Sequence, residues 1–195
     1  MGSVQSARAA RLRGAVVRGA VFGMIGGMMM AMVAMVAAVT YQHHGFFTPL
    51  FHISALTGTP TAMLTSMMHG AAGDNFWFTP GAALAGLVIH MVTGAMFGIG
   101  FMLLATRIPR AWLVPAGAMY GLAVFAFSAF VGLPVVAAIS GAGPSISDMA
   151  SMVGYGTFAL EHFVFGMTLG VLAFVTAPRV VRRPQPEREL ASSAA

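Results

Sequence analysis

Three ionisable side chains lie inside long apolar segments of the sequence: His90, Glu161 and His162. An ionisable group in such a segment is a candidate for function, because burying it in hydrocarbon costs free energy. His90 and His162 occupy equivalent positions in similar segments, so they form a candidate ligand pair for a metal or a haem. In the structural alternative, each imidazole donates a hydrogen bond to a neighbouring helix. The sequence leaves both interpretations open.

Glu161 is the one acid within an apolar segment. On a helix it lies about 100° around the axis from His162, so we expect the two side chains to point in different directions. We expect the Glu161 carboxylate to reach the outer headgroups. Pairing with an outer histidine and proton transfer are the alternatives.

A second set of candidate ligands lies outside the apolar segments, between residues 41 and 81. Thioether and imidazole groups suit copper, and thioethers favour Cu(I). Methionine is also a flexible apolar filler, which is the structural alternative for many of the 17 methionines. The candidate outer metal residues are His43, His44, His52, His69, Met67 and Met68.

The composition predicts that membrane-spanning helices position these residues. The chain has 195 residues, of which 58% are hydrophobic and only 8% are charged. Soluble domains usually contain about 25% charged residues, so this chain has too few charged residues to cover the surface of a soluble domain. It contains no cysteine, which excludes disulfides, cysteine-ligated metals and cysteine nucleophiles.

Four segments are long and apolar enough to cross the membrane, which requires about 20 residues. A cleaved signal peptide is not expected, because the apolar part of a signal peptide is only about 7–15 residues long. The sequence therefore predicts an all-α integral membrane protein with a four-helix bundle. The predicted spans are Gly19–Thr40, Ala82–Thr106, Ala111–Ile139 and Tyr155–Ala177.

The arginines predict the orientation of the bundle. All ten basic residues are arginines, and none lies in the loops 41–81 and 140–154. Basic residues are retained on the cytoplasmic side, so both termini are predicted to be cytoplasmic, in a bacterial inner membrane. The net charge of +5 therefore reflects topology, and nucleic acid is not an expected partner. The arginines are Arg8, Arg11, Arg13, Arg18, Arg107, Arg110, Arg179, Arg182, Arg183 and Arg188.

The second and fourth spans share the pattern H-x-V-x-G-x-x-x-G, and the first and third also match. The chain is thus predicted to contain two parallel helical hairpins, residues 18–106 and 107–178, related by an axis along the membrane normal. Glycines four residues apart let helix backbones approach closely. The predicted packing glycines are Gly19, Gly23, Gly27, Gly94, Gly98, Gly117, Gly121, Gly166 and Gly170.

The segments outside the spans are predicted to form an N-terminal arm, a C-terminal tail and a long loop with short helices. Residues 1–17 form a cytoplasmic arm, and residues 179–195 form a disordered cytoplasmic tail. The long loop 41–81 is too apolar for a solvated loop, so we expect one or two short interfacial helices, one of which begins near Thr59 with Pro60 in its first turn. A surface cap is favoured over a re-entrant segment.

The duplicated histidine–glycine helices and the R-I-P-R turn at Arg107–Arg110 resemble those of small, uncharacterised four-span bacterial membrane proteins that share a domain of unknown function. The resemblance implies a four-span membrane protein, and it implies no activity or ligand residues.

The sequence contains no P-loop, dinucleotide fingerprint, H-E-x-x-H motif or paired carboxylates, so catalytic residues are not predicted. The leading expectation is a non-enzymatic membrane component or accessory subunit, with the lipid bilayer, further copies of itself or a larger membrane complex as partners. The first alternative is a copper- or haem-binding protein for metal handling or electron transfer. A small channel or transporter that uses Glu161 is the second.

Overall fold

The computed structural model describes residues 2–58 and 60–177. All regular secondary structure in these residues is helical, without a strand. Short 3₁₀ turns at Ala55–Thr57 and Arg110–Trp112 join some of the helices. The α-helices of the described chain are α1 (Gly2–Thr40), α2 (Thr48–Ser54), α3 (Thr61–Ala71), α4 (Pro80–Ala105), α5 (Leu113–Phe127), α6 (Leu133–Ser140), α7 (Pro144–Ser147), α8 (Met149–Val153) and α9 (Tyr155–Thr176).

Four helical segments are long and apolar enough to cross a membrane, as the sequence predicts. They cover Arg8–Thr40, Pro80–Ala105, Arg110–Ser140 and Tyr155–Thr176. The first helix also continues toward the N-terminus through most of the predicted cytoplasmic arm. The predicted disordered tail, 179–195, lies outside the described residues.

The helix α1 packs along α4 through glycines that bring the two backbones into direct contact. Gly23 faces Gly94, and a Cβ atom on Gly23 would overlap the Gly94 carbonyl. Gly19 meets Gly98 in the same way, one turn away. Gly27 differs, because the atoms nearest to a Cβ atom there would belong to the side chains of Met91 and His90.

The helices α5 and α9 pack together through a second set of glycines. Gly117 faces Gly166 and Gly170, and Gly121 faces the backbone at His162 and Gly166. These two helix pairs join mainly where α1 meets α9. A packed apolar cluster fills the bundle toward the end that carries the start of α1 and the α4–α5 connection, which we call the arginine end. It consists of Phe22, Phe101, Met102, Leu113, Phe165, Leu169 and Ala173.

The third span changes its winding in its middle. Between α5 and α6, residues Ser128–Gly132 form a π-helical turn. Pro134, in the first turn of α6, has no N–H and cannot donate to the carbonyl one turn earlier. The wider π-helical turn changes the pattern of backbone hydrogen bonds around that missing donor. Such turns are a known cause of bends in helices.

The end opposite the arginine end is covered by a cap, which comprises α2, α3, α7, α8 and their connections. The helix α2 packs closely against α4, since a Cβ atom on Gly86 would overlap the Leu50 carbonyl. Gly86 lies six residues after the start of α4, about 9 Å along the helix axis, so α2 lies partly within the bundle. The helix predicted near Thr59 begins at Thr61, directly after Pro60.

Three side-chain hydrogen bonds join the first loop of the cap to the second loop and to α9. The Tyr41 hydroxyl lies 2.7 Å from the Thr157 hydroxyl. The Gln42 amide donates to the Val153 carbonyl at 2.9 Å. Nε2 of His52 donates to the Ser145 carbonyl at 2.6 Å. The cap therefore ties the two halves of the bundle together above its interior.

Candidate ligand-binding cavity

His90, Glu161 and His162 line one cavity. The cavity has a volume of about 440 Å³, within the range of about 300–1,000 Å³ that is typical of small-molecule sites. Its walls come from α1, α4, the third span and α9, and α2 contributes residues from the cap. His90, Glu161 and His162 thus share one site although His90 lies on α4 and the other two lie on α9.

The cavity is closed toward the arginine end. Phe165 lines the cavity and also belongs to the packed apolar cluster beneath it. Met30 and Phe97 line the cavity as well and pack against the same cluster. The structure therefore presents a blind cavity with an apolar floor.

The cavity opens on one side to the outside of the bundle. The third span meets α4 at Phe97, whose carbonyl accepts a hydrogen bond from the Tyr120 hydroxyl at 2.8 Å. Beyond this contact, Met96, Phe127 and Val136 line the cavity and are also exposed on the bundle surface. Because these exposed side chains lie on apolar helices, the opening faces the region that hydrocarbon would occupy.

Glu161 is buried in the cavity, with 4% of its surface exposed. The expectation that its carboxylate reaches the outer headgroups is wrong, because Glu161 faces the interior about 9 Å below the start of α9. Its Oε1 atom is fully buried and has no hydrogen-bond partner among the described residues. A buried polar atom without a partner costs roughly 1–3 kcal/mol, so this oxygen needs a ligand or water to satisfy it.

The two cavity histidines use their ring nitrogens differently. Nε2 of His90 donates to the Gly27 carbonyl of α1 at 2.9 Å, which links two helices. Nδ1 of His162 donates to the Phe158 carbonyl at 2.7 Å, within its own helix. Each ring has one further nitrogen, Nδ1 of His90 and Nε2 of His162, for which the described residues provide no hydrogen bond.

Ser128 and Thr93 add hydroxyl groups to the cavity wall, and sequence reasoning did not identify them. Ser128 begins the π-helical turn, and Gly132 at the end of that turn also lines the cavity. The Thr93 hydroxyl donates to the Ile89 carbonyl of its own helix at 2.8 Å. The glycine and the proline in the middle of the third span are the sequence features that could have identified this region.

A second, smaller pocket lies in the cap, with a volume of about 30 Å³. It brings together His44, His52 and Met67, and it adds Met152 from α8. Burial lowers the pKa of His52; its hydrogen bond to Ser145 opposes this effect, and His44 contributes a smaller lowering. Burial also lowers the pKa of His44, to which neighbouring His43 adds.

The other predicted outer residues do not line this pocket. Nδ1 of His69 lies 2.9 Å from Oδ2 of Asp74, and its ring stacks on Trp77. Met68 is 73% exposed, and His43 is exposed with a positive φ of 55°. In the described part of the chain, no group of three or more histidines and acids is arranged to hold a metal.

The resemblance to small four-span bacterial proteins stays a prediction, because no family model matches the sequence and no characterised protein or solved structure is significantly similar to it.

Proposed function

We propose that this protein is a multi-pass protein of a bacterial inner membrane with both termini in the cytoplasm. The distribution of arginine supports this topology, since in the sequence the arginines precede or begin the first span, lie between the second and third spans, and follow the fourth. The loops that form the cap contain no arginine or lysine and would face outward.

The bundle would consist of two parallel hairpin repeats. Equivalent glycines support this arrangement, because Gly23 packs against Gly94 in one hairpin and Gly121 packs against Gly166 in the other. The cavity would then lie between the repeats, where symmetry-related histidines approach a common axis.

The function we propose is non-enzymatic: binding of an uncharged lipid with a hydroxyl head in the cavity. The observation that carries this proposal is Oε1 of Glu161, which is buried without a partner in an otherwise apolar chamber. A hydroxyl group both donates and accepts, so it satisfies a carboxyl group in either protonation state. The unused nitrogens of His90 and His162 offer further hydrogen bonds to the same head group.

The absence of a cation at the cavity disfavours anionic lipids. The lining residues of the described chain include no arginine or lysine that could pair with a phosphate or carboxylate head, and an unpaired charge is costly to bury in an apolar chamber. A hydrocarbon body suits the remaining wall, which is formed mostly by aliphatic and aromatic side chains.

The shape of the cavity favours binding over conduction. The exposed rim at Met96, Phe127 and Val136 would admit a molecule directly from the bilayer. The packed cluster beneath Phe165 blocks passage toward the arginine end. A channel would require a continuous polar path, and the chamber ends on apolar side chains.

Lipid retention tests this proposal. The protein would be purified in detergent, loaded with diacylglycerol, washed and extracted for quantitative mass spectrometry. We expect the wild type to retain about one diacylglycerol per chain, and Glu161→Leu to retain at least about tenfold less, since one buried hydrogen bond contributes about 1.5 kcal/mol.

The matched controls change either the acid or the lipid. Asp148→Asn removes an acid that bonds to Ser147 in the cap, and it should retain diacylglycerol like the wild type. Phosphatidic acid with the same acyl chains should bind poorly because of its charge. Equal retention of both lipids, or unchanged retention by Glu161→Leu, would contradict the proposal.

Haem is the second candidate ligand, because His90 and His162 line the same cavity and each has an unused ring nitrogen. Haem added to the purified protein would give a Soret band that disappears in His90→Ala and His162→Ala. A colourless protein after haem addition and desalting would eliminate this candidate.

A further inference from the structure

The small pocket in the cap combines side chains from four separate segments of the chain. His44 follows α1, His52 lies on α2, Met67 lies on α3, and Met152 comes from α8 in the other loop. The residues are far apart in sequence, so the folding of the cap is what brings the two imidazoles and the two thioethers around one space.

We infer that His44, His52, Met67 and Met152 form a binding site for a single Cu(I) ion. Thioether and imidazole are soft or intermediate ligands, and a site rich in them selects Cu(I) over harder divalent ions. The pocket lining contains no acid, which suits a monovalent ion better than a divalent one. Its volume of about 30 Å³ is enough to hold one water molecule or one ion.

The hydrogen bond of His52 supports this assignment. Nε2 of His52 donates to the Ser145 carbonyl at 2.6 Å, which leaves the lone pair on Nδ1. Histidines that bind metals usually donate their other ring N–H to a carbonyl or carboxylate in this way, which fixes the tautomer and the ring orientation. His44, in contrast, makes no side-chain hydrogen bond to the described residues, so its ring has a nitrogen available for an ion.

The site differs from the lipid proposal in its ligand, and of its four proposed ligand residues only His52 also lines the large cavity. Only His52, Gln42, Pro49 and Val153 line both the pocket and the large cavity. Neither Glu161 nor His162 lines the pocket, so Glu161→Leu should leave copper binding unchanged. The two proposals can therefore fail independently.

The chain provides matched controls for the experiment, since two of the proposed ligands have a neighbour of the same type outside the pocket. Met68 adjoins Met67 and is exposed, and His43 adjoins His44 and is also exposed. Met→Leu removes the thioether with little change in volume. His→Gln removes the imidazole and keeps a polar side chain.

Binding would be measured by titrating the full-length protein in detergent with Cu(I) under reducing conditions, against a chromophoric Cu(I) chelator. We expect one Cu(I) per chain, with affinity lowered at least tenfold in Met67→Leu, Met152→Leu and His44→Gln. Met68→Leu and His43→Gln should match the wild type. X-ray absorption should show both nitrogen and sulfur ligands on the bound copper.

Several results would overturn the inference. The folded wild type could fail to bind Cu(I) stoichiometrically. The control variants could lose as much Cu(I) affinity as the ligand variants, or all three ligand variants could keep the wild-type affinity. Size-exclusion chromatography of each variant separates loss of binding from loss of fold. Tighter binding of Zn²⁺ than of Cu(I) would also contradict it, because this ligand set is too soft to favour zinc.

Discussion

His90 and His162 occupy equivalent positions in the sequence, yet their hydrogen bonds run in different directions. His90 donates to Gly27 of another helix, and His162 donates to Phe158 one turn earlier on its own helix. The sequence predicted that both side chains matter and offered the interhelical bond as one interpretation. It could not predict the difference, because the acceptor depends on how closely the neighbouring helix approaches.

We therefore expect the two histidines to contribute unequally to stability. His90→Leu removes a hydrogen bond between helices in the membrane, which contributes about 0.6–1.7 kcal/mol. His162→Leu removes a bond within one helix and should lower the midpoint of thermal unfolding less. The measurement is thermal unfolding in detergent, without added ligand. A larger decrease in the midpoint of thermal unfolding for His162→Leu than for His90→Leu would contradict this assignment.

The direction of the Glu161 side chain could not be predicted from the geometry of one helix. The angle of about 100° between Glu161 and His162 follows from helix geometry. The angle led to the expectation that the two side chains point apart, with Glu161 at the interface. Both in fact line one cavity, because the cavity extends around this face of α9 between the other spans. The position of those spans is a property of the assembled bundle.

At the level of the helices, hydropathy predicted all four spans, and their ends agree with the structure to within a few residues except at the start of α1. Backbones approach closely at Gly19, Gly23 and Gly94, which are among the glycines spaced four residues apart in the sequence. These features are local, since they depend on composition and on helix periodicity. The π-helical turn at Ser128–Gly132 was missed, although Pro134 and Gly132 signal a break in the span.

Gly23→Ala should destabilise the protein by about 1–3 kcal/mol, the usual cost of forcing extra volume into a packed contact. The added methyl group would overlap the Gly94 carbonyl, and backbone atoms cannot move aside as a flexible side chain can. Gly156→Ala is the matched control, because a Cβ atom at Gly156 meets nothing within 4 Å.

The two alanine variants would be compared by thermal unfolding in detergent. Gly156→Ala should be neutral or slightly stabilising, since alanine favours helix over glycine by up to about 1 kcal/mol. If Gly23→Ala unfolded at the same temperature as Gly156→Ala, the close approach of α1 and α4 would be wrong.

At the level of the whole molecule, the sequence predicted the number of spans but not the cavity between them. The cavity arises because α4 and the third span meet at Phe97 and separate above it, while α2 from the cap closes the top. The sequence could not predict that Met152 lines the cap pocket, because this depends on the contact between two loops that are far apart in the sequence.

The proposed topology can be tested directly because the chain contains no cysteine. Ala72 lies in the cap, whereas Ala10 and Ala111 lie toward the arginine end, and all three are exposed. A membrane-impermeant maleimide should label Ala72→Cys in intact cells, and it should label Ala10→Cys and Ala111→Cys only after permeabilisation. Labelling of Ala111→Cys from outside, without labelling of Ala72→Cys, would reverse the orientation.

The central claim is that the cavity around Glu161 holds an uncharged hydroxyl lipid. It is tested most directly by photocrosslinking with a diazirine-bearing diacylglycerol, followed by mapping of the adducts by peptide mass spectrometry. We predict adducts on the cavity-lining parts of α4 and α9, reduced at least tenfold by Glu161→Leu or by excess unlabelled diacylglycerol, and unaffected by Asp148→Asn. Adducts spread over outward-facing residues such as Ile139, with no dependence on Glu161, would contradict the claim.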